Sequence, residues 1–93
     1  MIYVTGTRLS EGGFRPSHIT DLRWEEPGTR NVNVISTRAE IVKFIDGGGV
    51  AKVRNPFGID VNVHTVHPHN APAYVQTAPD NTTADNLLKL PDC

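Results

Sequence analysis

Three histidines, His64, His67 and His69, fall within six residues and form the one cluster in the chain with metal-ligand chemistry. A structural zinc site takes four nitrogen or sulfur ligands at the corners of a tetrahedron. In a strand, His67 and His69 would share a side while His64 pointed opposite to His67, because successive side chains alternate. Pro68 spoils even that geometry, and neither a cysteine nor a helical His-x-x-x-His pair accompanies the group. The spacing predicts a solvated loop without metal, with a His-cluster metal-binding protein as one alternative. Nucleophilic catalysis fares no better, since a serine or cysteine must be activated by a base within hydrogen-bond reach. Ser10, Ser17 and Ser36 have no strand-to-helix elbow around them, Cys93 is the last residue, and no spacing marks Asp80, Asp85 or a histidine for acid–base work. Gly47-Gly48-Gly49 has the composition of a phosphate loop, but such a loop precedes a helix and these glycines follow one. No catalytic residue, metal or cofactor is predicted, and the expectation is a protein that is not an enzyme.

What remains is recognition chemistry. Aromatic residues and arginines dominate binding hot spots, which singles out Arg23, Trp24 and Tyr74, together with Gln76 and the tail residues Leu87 and Leu88, as the predicted partner-binding set. The same aromatics fill small cores, so Trp24 and Tyr74 are also expected to be core or partly buried. Arg30 and Arg38, with Arg23, are cations that an acidic partner could meet, although solvated charges or surface ion pairs are the commoner role of such residues. Nine basic residues against ten acidic ones give a net charge of -1, with no run of like charge. A nucleic-acid binder of this size would carry a basic stripe, so no nucleic-acid partner is expected. No apolar run approaches the roughly 18–20 residues that cross a bilayer, so no membrane insertion is expected. One cysteine allows no intrachain disulfide, and Met1 leads into Ile2-Tyr3-Val4-Thr5 without the basic and apolar regions of a signal peptide. The predicted location is cytoplasmic.

These residues need elements to position them. Residues 1–93 are predicted to form a single α+β domain, a mostly antiparallel sheet of five to six strands packed on one short helix over about 37–46. Ile2–Leu9 alternates and is rich in β-branched residues, which predicts a strand. In His18–Glu25 only Leu22 and Trp24 keep a period of two, so Ile19 marks an irregular start or a bulge. Pro27-Gly28 predicts a turn into a hairpin strand at Asn31–Ile35. Thr37-Arg38-Ala39-Glu40 matches a capping box, with Thr37 and Glu40 satisfying each other's backbone N–H groups. Ile41, Phe44 and Ile45 then fall on one helical face as the predicted buried residues, and the glycines end the helix. Val50–Arg54 and Ile59–Val63 read as strands around an Asn55–Gly58 turn, with Ile59, Val61 and Val63 inward. The stretch 67–72 reads as a loop, Ala73–Thr77 as a strand and Ala78–Thr83 as a turn. The leucines of the tail are expected to fold back on the core.

Taken together, Ile19-Thr20 with Arg23-Trp24, Ser36-Thr37-Arg38-Ala39-Glu40, Gly48-Gly49, Tyr74-Val75 with Thr77, and Asp85-Asn86-Leu87-Leu88 with Leu90-Pro91 resemble a family of small bacterial and bacteriophage proteins known as a domain of unknown function. Actinobacteria and their phages supply many members. The stretch from His64 to Ala71 departs from the family pattern in being richer in His and Pro. The resemblance implies a compact α+β domain, no known enzyme activity, and a phage-encoded accessory factor that acts on a host component. The expected function is therefore a protein-binding module that binds and modulates or inhibits a host bacterial protein, in the host cytoplasm if a phage encodes it. A small-ligand or nucleotide sequestering protein, with Arg38 and the sheet face lining its pocket, is a second alternative. A structural module whose edge strands pair into a homodimer is a third.

Overall fold

The computed structural model describes residues 1–13, 15–54, 58, 60–77, 87 and 90–93. Six strands, β1 (Ile2–Leu9), β2 (Ile19–Glu25), β3 (Val34–Thr37), β4 (Ala51–Arg54), β5 (Asp60–Val66) and β6 (Tyr74–Thr77), form one sheet in the order β3-β2-β1-β4-β5-β6. Four neighbouring pairs are antiparallel and β1–β4 is parallel. The sheet is thus two three-stranded meanders set side by side. A parallel pair needs a crossover connection, and here helix α1 (Arg38–Asp46) carries the chain from the β3 edge back to β4. The result is the α+β domain that the alternation of strand and helix patterns predicts.

Two bulges set which side chains reach the core. The register between β1 and β2 skips Thr5 between Val4 and Gly6, and skips Thr20 between Ile19 and Asp21. The second skip explains the broken period at Ile19. With Thr20 as the extra residue, Ile19 and Leu22 face the same side although three positions apart, and both are fully buried. The Thr20 hydroxyl donates to the Arg8 carbonyl at 3.1 Å across the irregularity.

Helix α1 begins as its capping box requires. The Thr37 hydroxyl accepts from the Glu40 N–H at 3.2 Å while the Thr37 N–H donates to Glu40 Oε1 at 3.0 Å. The Thr37 N–H, and then the Thr37 hydroxyl, which also donates to Oε1 at 3.0 Å, hold the Glu40 carboxyl below the usual carboxylate range. At the other end Gly49 N–H bonds the Phe44 carbonyl and Gly48 N–H the Ile45 carbonyl, with Gly48 at φ +101°, which is a Schellman ending. The buried face is not the expected one. Ile41 and Val42 are buried and Ile45 half-buried, whereas Phe44 is 37% exposed. Phe44 lies instead against the backbone of Gly49, where a Cβ would come within 2.5 Å of its ring.

The core lies on the α1 side of the sheet. Ile2 and Val4 of β1, Ile19 and Leu22 of β2, Ala51 and Val53 of β4, Val63 of β5 and Val75 of β6 are buried with Ile41 and Val42 of α1. The hairpin strand starts later than expected, at Val34, because Asn33 takes a left-handed φ of +52° that a strand does not tolerate. Strand β5 runs three residues beyond its expected end at Val63, to Val66, and so includes His64.

The tail completes both core and sheet. Leu87 is fully buried, and its carbonyl accepts from the Thr7 hydroxyl at 3.4 Å. Among the described residues, strand β4 pairs with β1 at Ile2 and Tyr3. Further along β1 the tail takes its place: Thr7 N–H donates to the Pro91 carbonyl at 3.1 Å and Cys93 N–H to the Thr7 carbonyl at 3.2 Å. Residues 55–57 of the expected Asn55–Gly58 turn, the expected turn at Ala78–Thr83 and the inward position of Ile59 lie outside the described residues, as do Asp80, Asp85 and Leu88.

Candidate functional site

Strand alternation that sends the aliphatic residues toward α1 sends their neighbours to the opposite face. Tyr3 and Thr5 of β1, Arg23 and Glu25 of β2, Lys52 and Arg54 of β4, Asp60, Asn62 and His64 of β5, and Tyr74 and Gln76 of β6 stand there, each half-buried or exposed. Register aligns Glu25, Tyr3, Lys52 and Asn62 as one row across four strands. This open face carries the candidate site.

Its side chains are held by one another. Tyr3 O–H donates to Asp60 Oδ2 at 2.7 Å, Arg54 Nε donates to Asp60 Oδ1 at 3.4 Å, and the Arg54 guanidinium sits 5.3 Å from the centroid of the Tyr3 ring. The Tyr3 hydrogen bond, aided by Arg54 and Lys52, keeps the Asp60 carboxyl below the usual range. The same bond raises the Tyr3 phenol. At the far end of the face the Gln76 amide donates to His64 Nε2 at 3.1 Å.

The six residues singled out for partner binding separate. Arg23, Tyr74 and Gln76 lie on the open face. Arg23 has structural work there: its Nε donates to the Thr5 hydroxyl at 3.2 Å and its Nη2 to the Thr5 carbonyl at 3.0 Å, at the bulge. An added Cβ on Gly6 would meet that guanidinium at 3.1 Å, so the glycine makes room for it. Trp24 is on the α1 side, packed against the core, with its indole N–H donating to the Ser36 hydroxyl at 3.0 Å. Leu87 is corrected to a core residue, since a fully buried side chain presents nothing to a partner. Leu88 lies outside the described residues.

Tyr3, Lys52, Arg54, Asp60 and Asn62 were not among the residues singled out from the sequence. The signal for them is the phase of alternation. If Val53, Val61 and Val63 point inward, then Lys52, Arg54, Asp60 and Asn62 point outward.

The histidines do not converge. His64 is on the open face against Gln76, while His67 Nε2 pairs with Asp46 Oδ2 at the end of α1, 3.0 Å away. Among the described residues no three His, Cys, Asp or Glu side chains are grouped to hold a metal ion. Arg38 lines a groove, but with α1 and the β5–β6 connection and not with the open sheet face. Among the described residues no helix is long and apolar enough to cross a membrane.

No curated protein and no solved structure matches the chain. A family model described as "Protein of unknown function (DUF3892)" matches residues 15–91, from the turn before β2 into the tail, and the chain belongs to that family.

Proposed function

We propose that this chain is a non-enzymatic protein-binding module that docks through its open sheet face, and that it is a phage-encoded accessory protein that modulates a host bacterial protein. The observation that carries the reading is the division of the sheet: aliphatic residues are buried under α1, and the other face presents Tyr3, Arg23, Lys52, Arg54, Asn62 and Gln76. Tyrosine and arginine are the residue types that anchor protein interfaces. The Tyr3–Asp60–Arg54 contacts fix two such anchors in advance, which lowers the ordering cost of docking. The resemblance to phage proteins supports the setting.

The test is capture from bacterial lysate by the tagged protein, with two variants that change the face without touching the core. Asn62 is exposed on β5, and Gln76 is half-buried on the edge strand β6. One stoichiometric protein held by the wild type and lost by Asn62→Arg and Gln76→Ala, at unchanged melting temperature, is the expected result. Equal capture by wild type and both variants removes the open face as the docking surface.

A further inference from the structure

We propose that the groove between α1 and the β5–β6 connection is a binding site for a small amphiphilic carboxylate, a site separate from the open face. The groove holds about 540 Å³, inside the range of roughly 300–1,000 Å³ usual for small-molecule sites. Its floor and walls are apolar: Val42, only 8% exposed, with Ala39, Pro72 and Ala73 around it. Its rim is cationic.

Arg38 and Lys43 stand on the α1 side of that rim. Arg38 Nη1 is tied to the Ser17 carbonyl at 2.9 Å, which anchors the guanidinium and leaves other donors of its fork for an anion. The ammonium of Lys43 is exposed and has no hydrogen bond or ion pair among the described residues. Asp46 also borders the groove, and each of its oxygens holds a partner: Oδ1 accepts from the Thr65 hydroxyl at 2.7 Å and Oδ2 from His67 at 3.0 Å. Those two bonds pin the end of β5 and the start of the β5–β6 connection to the end of α1, so the walls are set before a ligand arrives. One free and one anchored cationic head over an apolar floor complement one negative head on an apolar body. The fitting occupant is a free acid with a short alkyl or aryl body laid over Val42 and Ala73, its carboxylate on Lys43 and Arg38.

The experiment is a titration of the 15N-labelled protein with sodium octanoate, with octanol and acetate as the head and body controls. Expected are saturable shifts of the Ala39, Val42, Lys43 and Ala73 amides with octanoate and none with either control. Lys43→Gln should weaken octanoate binding about tenfold, the effect of losing one charge-assisted hydrogen bond. Ala39→Glu, which puts a like charge in the groove, should abolish it. Both positions are exposed, so the fold is retained, as circular dichroism would verify. Asn62→Arg on the open face should leave octanoate binding unchanged, which keeps this result independent of the docking reading. Shifts that do not saturate, equal binding of octanol, or Lys43→Gln binding as wild type would each overturn the proposal.

Discussion

Asp46 takes one hydrogen bond from Thr65 and one from His67, and the bond from Thr65 does most to hold its carboxyl below the usual range, against desolvation, which is the next-largest effect and opposes it. Because the folded-state value lies below the unfolded one, the folded protein binds fewer protons between them. The associated stability is present above the ordinary aspartate pKa of about 3.9 and is lost as pH falls through the lowered value. Replacing Thr65 by Val should therefore raise the Asp46 titration midpoint toward the ordinary value, read from its carboxyl carbon shift, and move the onset of acid unfolding to higher pH. A midpoint unchanged by Thr65→Val would contradict this role of the hydroxyl. Leu87 belongs to the same scale. Its fully buried side chain has no nearby solvent to fill the space it would leave, so Leu87→Ala should cost about 2–5 kcal/mol, seen as a lower urea midpoint at unchanged slope. A loss under 0.5 kcal/mol would mean that the tail leucine is dispensable to the core.

Elements differ in how much of them local sequence contains. The start of α1 was legible because a capping box is complete within four residues, Thr37 to Glu40. Its end was legible because left-handed backbone calls for glycine, and Gly48 supplies it. The inner face was not. Ile41 with Phe44 and Ile45, or with Val42 and Ile45, both trace a helical arc, and the choice depends on Phe44 finding the bare backbone of Gly49. Likewise the pairing of the tail with β1 joins residues more than eighty positions apart, and no local pattern records it. That pairing has a measurable consequence. Removing residues 91–93 leaves the buried Thr7 with an unpaired N–H and carbonyl, at a cost of about 1–3 kcal/mol. Amide exchange at Thr7 should accelerate in the truncated chain; protection equal to that of the full chain would show that the tail does not close β1.

On the scale of the whole molecule, the division into a core face and an open face follows from alternation, and the sequence carried it strand by strand. Arg23, Tyr74 and Gln76 were found because residue type alone marks them as interface chemistry. Tyr3, Lys52, Arg54, Asp60 and Asn62 become a surface only when β1, β4 and β5 lie side by side, and that order rests on the parallel β1–β4 pair joined through α1. Trp24 shows the converse: an aromatic with the right chemistry is on the wrong face, because β2 turns it toward Ser36 and the core. The central claim is that the open face meets a protein partner. Its most direct test is titration of the 15N-labelled chain with the captured partner. The account predicts that the perturbed signals cluster on Tyr3, Lys52, Arg54, Asn62 and Gln76. Perturbation confined to the α1 side, at Ala39, Lys43 and Pro72-flanking amides, with the open face silent, would contradict it.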